Sequence, residues 1–194
     1  LHVLDRFWKE SCSEIGTLVR YADDFVIVCP ERQQALKAMS RVKYMLGRLK
    51  LNLNETKTRI VRPVGDSFDF LGFQFLKCIS VTTKKLLPYV WASRKSMEEI
   101  RGRIRSVVRV RLLKLGLEEI VNRVNPIIRG WRNYFKNGNC YRQFNGLDRF
   151  AYRRFRLLFK RKYNGKSDNY ALACYNWFTK AGVERFGKRN LCAV

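Results

Sequence analysis

The chain has 194 residues, 46% of them hydrophobic, which is enough to bury a core in one large or two small domains. Its 40 basic residues against 16 acidic ones give a net charge of +24 and predict a polyanionic partner. No apolar run approaches the roughly 18 residues of a membrane span, and one histidine with six cysteines lacking a CxxC pair argues against a zinc site. Since no secretory signal is visible, we expect reduced thiols, a cytoplasmic (bacterial) or organellar interior, and no membrane partner.

Residues 17–28 predict a β-hairpin whose tip carries two adjacent carboxylates. Two runs rich in β-branched and aromatic residues, 17–20 and 25–28, favour strands, and Tyr21-Ala22-Asp23-Asp24 links them. Hard carboxylate oxygens suit Mg²⁺ that is bound together with substrate phosphates, so the pair predicts phosphoryl or nucleotidyl transfer. The alternative is a solvated turn, where aspartate is common because its side chain bonds to nearby backbone.

A helix is predicted before this hairpin, and a helix and further strands are predicted after it, up to about residue 91. Leu1, Leu4 and Trp8 recur at helical spacing, and a second amphipathic helix is predicted over 32–50. The expected core positions of this second helix are Ala35, Leu36, Met39, Val42, Leu46 and Leu49. Further strands are predicted over 58–61, 68–76 and 86–91, so this part of the chain is expected to be α+β.

After Ser93 the pattern becomes helical. A first helix is predicted to end at Gly116, a second covers 117–124, and a third is capped by Asn125 with Pro126 in its first turn. The remaining predicted elements are a loop at 137–139, a long basic helix over 141–163, a loop at 164–168 and a helix over 170–181. These segments predict an all-α bundle.

Four segments resemble, in order, the motifs of group II intron-encoded reverse transcriptases/maturases. The Tyr21-Ala22-Asp23-Asp24 tip is similar to their palm hairpin, where YADD is a common form. The other segments, at 51–58, 68–73 and 125–135, resemble the two following reverse transcriptase motifs and the maturase-specific domain. The resemblance implies an α+β fold with two domains. Residues 1–91 would form the C-terminal part of the palm (β-hairpin plus helix and strands), and 92–194 an all-α maturase/thumb bundle.

By this resemblance, Asp23 and Asp24 are the catalytic pair and the metal ligands, with Mg²⁺ as the cofactor. Two-metal chemistry activates a primer 3′-hydroxyl and holds the incoming triphosphate. Lys57 would lie near the departing pyrophosphate as a donor of a proton or a charge. The alternative for Lys57 is an ordinary surface lysine at the start of a strand.

The resemblance also assigns a primer and nucleotide pocket. Its residues are Tyr21, Ala22, Leu71, Gly72 and Phe73. Glycine inside a strand independently indicates a bulge or a close backbone approach. Core packing of the phenylalanines and ordinary strand packing of Tyr21 are the alternatives.

The family's catalytic scheme needs a further aspartate from an earlier palm strand, which this sequence does not contain. We therefore expect the chain to be a C-terminal portion of a longer protein, and to be unable to polymerise DNA alone. The missing N-terminal polymerase part is then a candidate partner, and the unpaired hairpin edge predicts poor solubility without a partner or RNA. Primer extension on an RNA template with Mg²⁺ tests the predicted inactivity.

The prediction of RNA binding rests on the second half of the chain. Residues 1–83 hold 13 basic and 9 acidic residues, a net charge of +4, whereas 84–194 hold 27 and 7, a net charge of +20. Arginine suits forked contacts to phosphates, and interleaved aromatic side chains can stack on bases. The candidate RNA-binding residues are Arg94, Lys95, Arg101, Arg105, Arg109, Arg142, Arg149, Arg153, Arg154, Arg156, Lys160 and Arg161. Tyr141, Tyr152 and Tyr163 are expected to be exposed, and a merely solvated charged face is the alternative.

These expectations combine into a group II intron reverse transcriptase/maturase that binds intron RNA and assists splicing. In the complete protein, an RNA template would be copied from a DNA primer. A non-catalytic RNA-binding remnant that keeps only the maturase bundle is the alternative, and 125–135 counts against a third interpretation, a retron-type enzyme. Gly130 and Trp131 match the maturase motif, but a glycine that lets helices approach and a tryptophan that fills the gap favour a structural role.

Overall fold

The computed structural model describes residues 2–62, 64–109, 115–162, 176, 178 and 180–187. Its helices are α1 (His2–Ser11), α2 (Arg32–Arg48), α3 (Arg94–Val107), α4 (Leu117–Phe135) and α5 (Tyr141–Lys162). Its strands are β1 (Thr17–Tyr21), β2 (Asp24–Val28), β3 (Phe68–Phe70), β4 (Phe73–Ile79) and β5 (Leu86–Ala92). The protein is therefore α+β, as the sequence predicts.

The chain divides into two compact units. One, here called the hairpin unit, comprises Leu1–Leu71 and Phe75–Pro88, and the other, the helical unit, comprises Gly72–Gln74 and Tyr89–Val194. Helices α1 and α2 and the two-stranded sheet β1-β2 belong to the hairpin unit, whereas α3, α4 and α5 belong to the helical unit. The second sheet has the strand order β3-β4-β5.

The hairpin unit has a small core built by α1, α2 and the inner face of the hairpin. Its buried residues are Trp8, Cys12, Ala38, Val42 and Leu46. The Trp8 indole Nε1 donates a 2.7 Å hydrogen bond to the Gly16 carbonyl and so ties α1 to the start of β1. The predicted positions Val42 and Leu46 are confirmed, but Leu36 is exposed and Ala38 is buried in its place.

Strands β1 and β2 pair antiparallel, which confirms the predicted hairpin. Thr17 lies opposite Val28, and Tyr21 lies opposite Asp24. Ala22 and Asp23 are therefore the two central residues of the turn.

The strand predicted over 58–61 is wrong. Asn54 instead organises a turn, because its backbone carbonyl accepts hydrogen bonds from Lys57 N (3.1 Å) and Thr58 N (2.9 Å). The side chain of Asn54 also accepts from Thr56 Oγ1 at 2.6 Å. Local side-chain hydrogen bonds of this kind compete with strand pairing.

The strand predicted over 68–76 is divided into β3 and β4. Leu71 and Gly72, with φ of 50° and 76°, form the turn between them. Positive φ values end an extended strand, and the pattern of phenylalanines continues on both sides without revealing that break. Strand β5 is confirmed.

The helical unit has the larger core. Helices α3, α4 and α5 bury Ile104, Ile120, Val124, Ile128 and Phe155 completely or almost completely. Ser93 is the N-cap of α3, and its Oγ accepts a hydrogen bond from Ser96 N at 3.2 Å.

Two predicted helix boundaries in this unit are wrong. Gly116 precedes α4 as its N-cap instead of ending α3, which ends at Val107. Helix α4 also continues through Pro126, where the sequence predicts a new helix. The buried stripe Ile120, Val124 and Ile128 crosses this position, so packing outweighs the hydrogen bond that proline removes.

Some predicted elements lie outside the described residues. The loop at 164–168 and Tyr163 are among them, and of the predicted last helix over 170–181 only residues 176, 178 and 180 are described as helical. No helix in the described part of the chain combines the length and the apolar character needed to cross a membrane.

Candidate functional site

The tip of the β1-β2 hairpin presents the two predicted metal ligands to solvent. Asp23 is the second central residue of the turn, and Asp24 is the first residue of β2; both are exposed. Tyr21 and Ala22, assigned by the sequence to the primer pocket, adjoin the pair and are also exposed. The structure therefore gathers these four residues at one tip.

The turn has an unusual backbone for its sequence. Ala22, the first of its two central residues, has a φ of 53°. Primed hairpin turns require a positive φ at this position, which glycine normally occupies because an L-residue with a Cβ is strained there. The conformation that places Asp23 is therefore one that alanine does not favour by itself.

The side chain of Arg20 contacts the backbone of this turn. Its Nη1 donates to the Ala22 carbonyl at 2.5 Å. Its Nε and Nη2 donate to the two carboxylate oxygens of Asp5 on α1, with 2.7 Å for the Nε–Oδ1 bond. The hydrogen bond from Arg20 holds the pKa of the Asp5 carboxyl below its ordinary value, and Asp5 in turn raises the pKa of Arg20.

The chemistry of the carboxylate pair fits Mg²⁺ bound jointly with other oxygens. Mg²⁺ usually keeps several waters and takes only one or two protein carboxylates together with substrate phosphates. Within the described residues, no group of three or more His, Cys, Asp or Glu side chains is placed to hold a metal. Asp23 and Asp24 could thus supply part of a coordination shell that water and substrate phosphates complete.

Lys57 lies elsewhere in the hairpin unit, in the turn organised by Asn54. Its side chain is exposed, and its backbone N–H donates to the Asn54 side-chain oxygen at 3.2 Å. The role near pyrophosphate stays a prediction.

Gly72 and Phe73, predicted for the primer pocket, make their observed contacts inside the helical unit. The Gly72 carbonyl accepts from Ser93 N at 2.8 Å and from Ser96 Oγ at 2.9 Å. A Cβ at Gly72 would lie 2.9 Å from Ser96 Oγ, so the close backbone approach predicted for this glycine is observed. The ring of Phe73 packs on Phe135 with 4.7 Å between centroids. Together with Leu71, these residues keep their proposed primer contact only as a prediction.

Helix α5 carries a broad cationic surface. It contains eight basic residues and one acidic residue, Asp148, which is buried. Five of its predicted RNA-binding residues are exposed, and none of them has an ion-pair partner among the described residues. These five, here called the α5 cationic residues, are Arg142, Arg149, Arg153, Lys160 and Arg161. Arg156, a sixth candidate on this helix, is exposed as well.

Arg154 is placed differently from its neighbours on α5. Its Nη2 donates to the Val108 carbonyl at 3.0 Å, just beyond the last residue of α3. Its Nε is buried and has no hydrogen-bond partner in the described part of the chain. A cation at this position complements the negative end of the α3 dipole.

The candidates on α3 and just after its end are less free to contact a ligand. Arg94 Nε donates to Glu98 at 3.0 Å, and the Arg105 guanidinium lies 5.7 Å from the centroid of the Phe150 ring. Arg109 Nε donates to the Arg105 carbonyl at 3.2 Å. Lys95 is exposed and Arg101 is half-buried.

The helical unit contains a polar cluster that the sequence does not predict. Its members on α4 all face the segment 182–187, here called the closing segment. Asn125 Nδ2 donates to the Gly182 carbonyl at 2.8 Å, and Asn125 Oδ1 accepts from Glu184 N at 2.8 Å. Arg129 and Arg132 pair with Glu184 at 2.9 Å and 3.2 Å.

Asp148 of α5 holds the same segment from the other side. Its two carboxylate oxygens accept from Phe186 N at 2.7 Å and Gly187 N at 3.0 Å. Burial raises the pKa of the Asp148 carboxyl, although these two N–H donors partly offset that effect. The spacing of Asn125, Arg129 and Arg132 by four and three residues is the signal in the sequence that predicts one common helix face.

Trp131 has the structural role that its residue type predicts. Its ring packs against Phe135, Phe144 and Phe186, with 4.4 Å between the centroids of Trp131 and Phe135. The expectation for Gly130 is wrong, because Gly130 is exposed and no atom of the described residues lies within 4 Å of a Cβ built there.

The expected exposure of the tyrosines on α5 is confirmed for Tyr141 only. Tyr152 is half-buried and packs edge-on against Phe178, with 5.4 Å between ring centroids. The side chain of Tyr152 is therefore used by the core.

Comparison with protein families matches both parts of the chain. Residues 1–75 match the family model "Reverse transcriptase (RNA-dependent DNA polymerase)". Residues 97–175 match the model "Group II intron, maturase-specific domain". No curated protein matches the chain.

A reverse transcriptase region followed by a maturase-specific region defines the class of protein. The two models match different parts of the chain, and together they support a group II intron reverse transcriptase/maturase. The resemblance drawn from the four sequence segments is thus confirmed at the level of the family.

Proposed function

We propose that this chain binds structured group II intron RNA and assists its splicing, and that it forms part of an RNA-directed DNA polymerase in the complete protein. In this proposal, residues 1–91 are the C-terminal part of the palm and 92–194 are the maturase/thumb bundle. The family supports both activities in general terms.

The observation that carries the RNA-binding proposal is the cationic surface of α5. Its only acidic residue, Asp148, is buried and accepts two backbone hydrogen bonds, so the exposed side chains of this helix carry positive charge without compensation from within the helix. Like charges on adjacent helical turns repel each other and are destabilising without a ligand. Phosphates of an RNA backbone would remove that repulsion, and arginine forks fit their geometry.

The polymerase proposal rests on the hairpin tip. Asp23 and Asp24 would hold Mg²⁺, which when bound activates a 3′-hydroxyl and neutralises charge on the phosphate oxygens. Tyr21 and Ala22, adjoining the pair, would contact the primer terminus. Lys57 would stand near the departing pyrophosphate.

Filter binding of the full chain to a group II intron RNA, titrated against salt, tests the RNA-binding proposal. If the α5 cationic residues contact one phosphate each, the slope of log K against log salt should be about −3.5 to −4.5. A slope near zero would contradict phosphate contact. An unstructured RNA of equal length serves as control, since recognition of a folded intron predicts weaker binding to it.

Metal binding separates the two proposed activities. Mn²⁺ is a spectroscopic substitute for Mg²⁺, and its binding to the full chain can be followed by electron paramagnetic resonance. We expect Asp23→Asn with Asp24→Asn to weaken Mn²⁺ binding and to leave RNA binding unchanged. RNA binding without any Mn²⁺ binding at the tip would favour the non-catalytic remnant instead.

A further inference from the structure

We infer that Arg20, oriented by Asp5, is a positioning residue that sets the conformation of the turn carrying Asp23 and Asp24. This inference rests on the proposed metal-binding role of the aspartates for its functional consequence. Its structural basis is independent of that role. The Arg20 guanidinium donates both to the Asp5 carboxylate on α1 and to the carbonyl of Ala22, one residue before Asp23.

The turn needs an outside contact because of Ala22. With a φ of 53°, Ala22 occupies the left-handed region, which disfavours an L-residue by roughly tenfold relative to ordinary conformations. A hairpin with alanine at this position would otherwise sample several turn geometries. The 2.5 Å bond from Arg20 Nη1 to the Ala22 carbonyl selects one of them.

Asp5 makes this contact specific. It accepts from both Nε and Nη2 of Arg20, so the guanidinium plane is fixed and Nη1 is aimed at the turn. Helix α1 is itself held by the buried side chains of Leu4 and Trp8. The position of the turn is thereby tied to the core of the hairpin unit.

The pairing also removes an electrostatic conflict. An unpaired guanidinium beside the aspartates would compete with a divalent cation for the same negative charge. Because Arg20 is paired with Asp5, its hydrogen bond supports the turn while its charge is largely neutralised. The two roles predict opposite effects of removing Arg20 on the affinity for a divalent cation. Loss of a positioning contact would weaken cation binding, whereas loss of a competing charge would strengthen it.

The test uses the full chain with four variants: Arg20→Gln, Asp5→Asn, Ala22→Gly and the double variant Arg20→Gln/Ala22→Gly. Amide hydrogen exchange of Tyr21 and Asp24, which close the turn, reports its conformation by NMR. Mn²⁺ affinity from electron paramagnetic resonance reports the arrangement of the carboxylates. Thermal unfolding reports global stability, and Arg6→Gln on the exposed face of α1 is the control of equal charge change.

We expect Arg20→Gln to speed exchange at the turn and to weaken Mn²⁺ binding, each by about fivefold, the equivalent of one net hydrogen bond of about 1 kcal/mol. Asp5→Asn should act in the same direction and less strongly, because Arg20 remains. The added Ala22→Gly should restore both quantities within about twofold in the Arg20→Gln background, since glycine tolerates the positive φ.

Three results would overturn the inference. The first is tighter Mn²⁺ binding in Arg20→Gln, and the second is unchanged amide exchange at Tyr21 and Asp24 in that variant. The third is failure of the added Ala22→Gly to restore exchange and Mn²⁺ affinity. A salt bridge that only joined α1 to β1 would lower the melting temperature without rescue by Ala22→Gly. If the wild-type chain binds no Mn²⁺ at the tip, the proposed function fails, whereas exchange and its rescue still decide the role of Arg20.

Discussion

The hairpin unit and the helical unit support exposed functional groups in opposite ways. In the hairpin unit, two carboxylates stand on a turn held by an arginine contact, and the core cluster has five buried members among the described residues. In the helical unit, the cationic residues stand on a 22-residue helix that contributes to a core of seventeen buried residues in the described part of the chain. The acidic tip therefore depends on a few local contacts, whereas the cationic surface depends on a large core.

Removing the cationic surface should have the largest effect on the proposed activity. Replacing all five α5 cationic residues by glutamine is expected to weaken binding to intron RNA roughly 10³-fold at 0.15 M salt. The reason is that the variant no longer neutralises those phosphates, so binding no longer releases their counterions. Filter binding measures this directly.

A matched control is available on the hairpin unit. Its members are exposed basic residues, also replaced by glutamine: Arg32, Lys37, Arg41, Arg48 and Lys50. Both variants lose five positive charges. Equal losses of affinity would show that net charge, and not the surface of α5, drives binding.

A cavity in the helical core should have the next largest effect. Phe155 is fully buried and packs on Phe178 with 5.6 Å between ring centroids. Phe155→Ala is expected to lower the free energy of unfolding by about 3–5 kcal/mol. Urea denaturation followed by circular dichroism measures the loss, and Leu157→Ala, at an exposed position of the same helix, is the control. A loss below about 1 kcal/mol would contradict the role of the core.

Release of the closing segment should cost less. Asparagine at position 148 can accept only one of the two backbone bonds that Asp148 accepts, so Asp148→Asn should lower the free energy of unfolding by about 1–3 kcal/mol. Protection of the Phe186 and Gly187 amides from hydrogen exchange should fall as well. Unchanged protection of these two amides would contradict the proposed role of Asp148 in holding the closing segment.

The same residue predicts a dependence on pH. Burial raises the pKa of Asp148 above its ordinary value of 3.8. The folded chain therefore binds a proton on this carboxyl more tightly than the unfolded chain does. The stability it contributes is complete below pH 3.8 and decreases as the pH rises through the folded pKa. The cost of Asp148→Asn should therefore be larger at acid pH than at neutral pH in urea titrations, and the reverse order would refute the raised pKa.

The smallest expected effect is an increase in stability, from a substitution at Gly130. Gly130 lies inside α4, is exposed, and has no atom of the described part of the chain within 4 Å of the position of a Cβ. Gly130→Ala should raise the free energy of unfolding by about 0.8–1 kcal/mol, because alanine has the higher helix propensity. Gly72→Ala is the opposite control, since its φ of 76° and the nearby Ser96 Oγ predict a loss. Destabilisation by Gly130→Ala would show that this glycine has a role that the helix surface does not reveal.

Much of the fold could be predicted from short-range patterns. The hairpin follows from two β-branched runs on either side of Tyr21-Ala22-Asp23-Asp24, and α2, α5 and β5 follow from periodicity. The errors lie where a tertiary contact competes with local preference. Asn54 bonds its own neighbours and prevents a strand, and the core face of α4 carries the helix through Pro126.

The candidate site divides in the same way. Asp23 and Asp24 are recognisable because adjacent carboxylates at a hairpin tip form a pattern within four residues. Arg20 belongs to the same stretch, but its partner Asp5 is 15 positions away, and no local pattern reveals that pairing. The contacts from Asn125, Arg132 and Asp148 to the closing segment span 38 to 59 positions and depend on how the helices pack.

The sequence by itself determined the family, the hairpin with its acidic tip, and the excess of positive charge in the second half, because each is written in residue types and short spacings. Tertiary structure decided which arginines are free to meet a phosphate and which are used internally, as Arg154 is at the end of α3 and Arg20 is beneath the turn. The physical reason is that a guanidinium is recruited by whichever carbonyl or carboxylate the fold brings within hydrogen-bond distance, and that distance is set by packing between segments far apart in the chain.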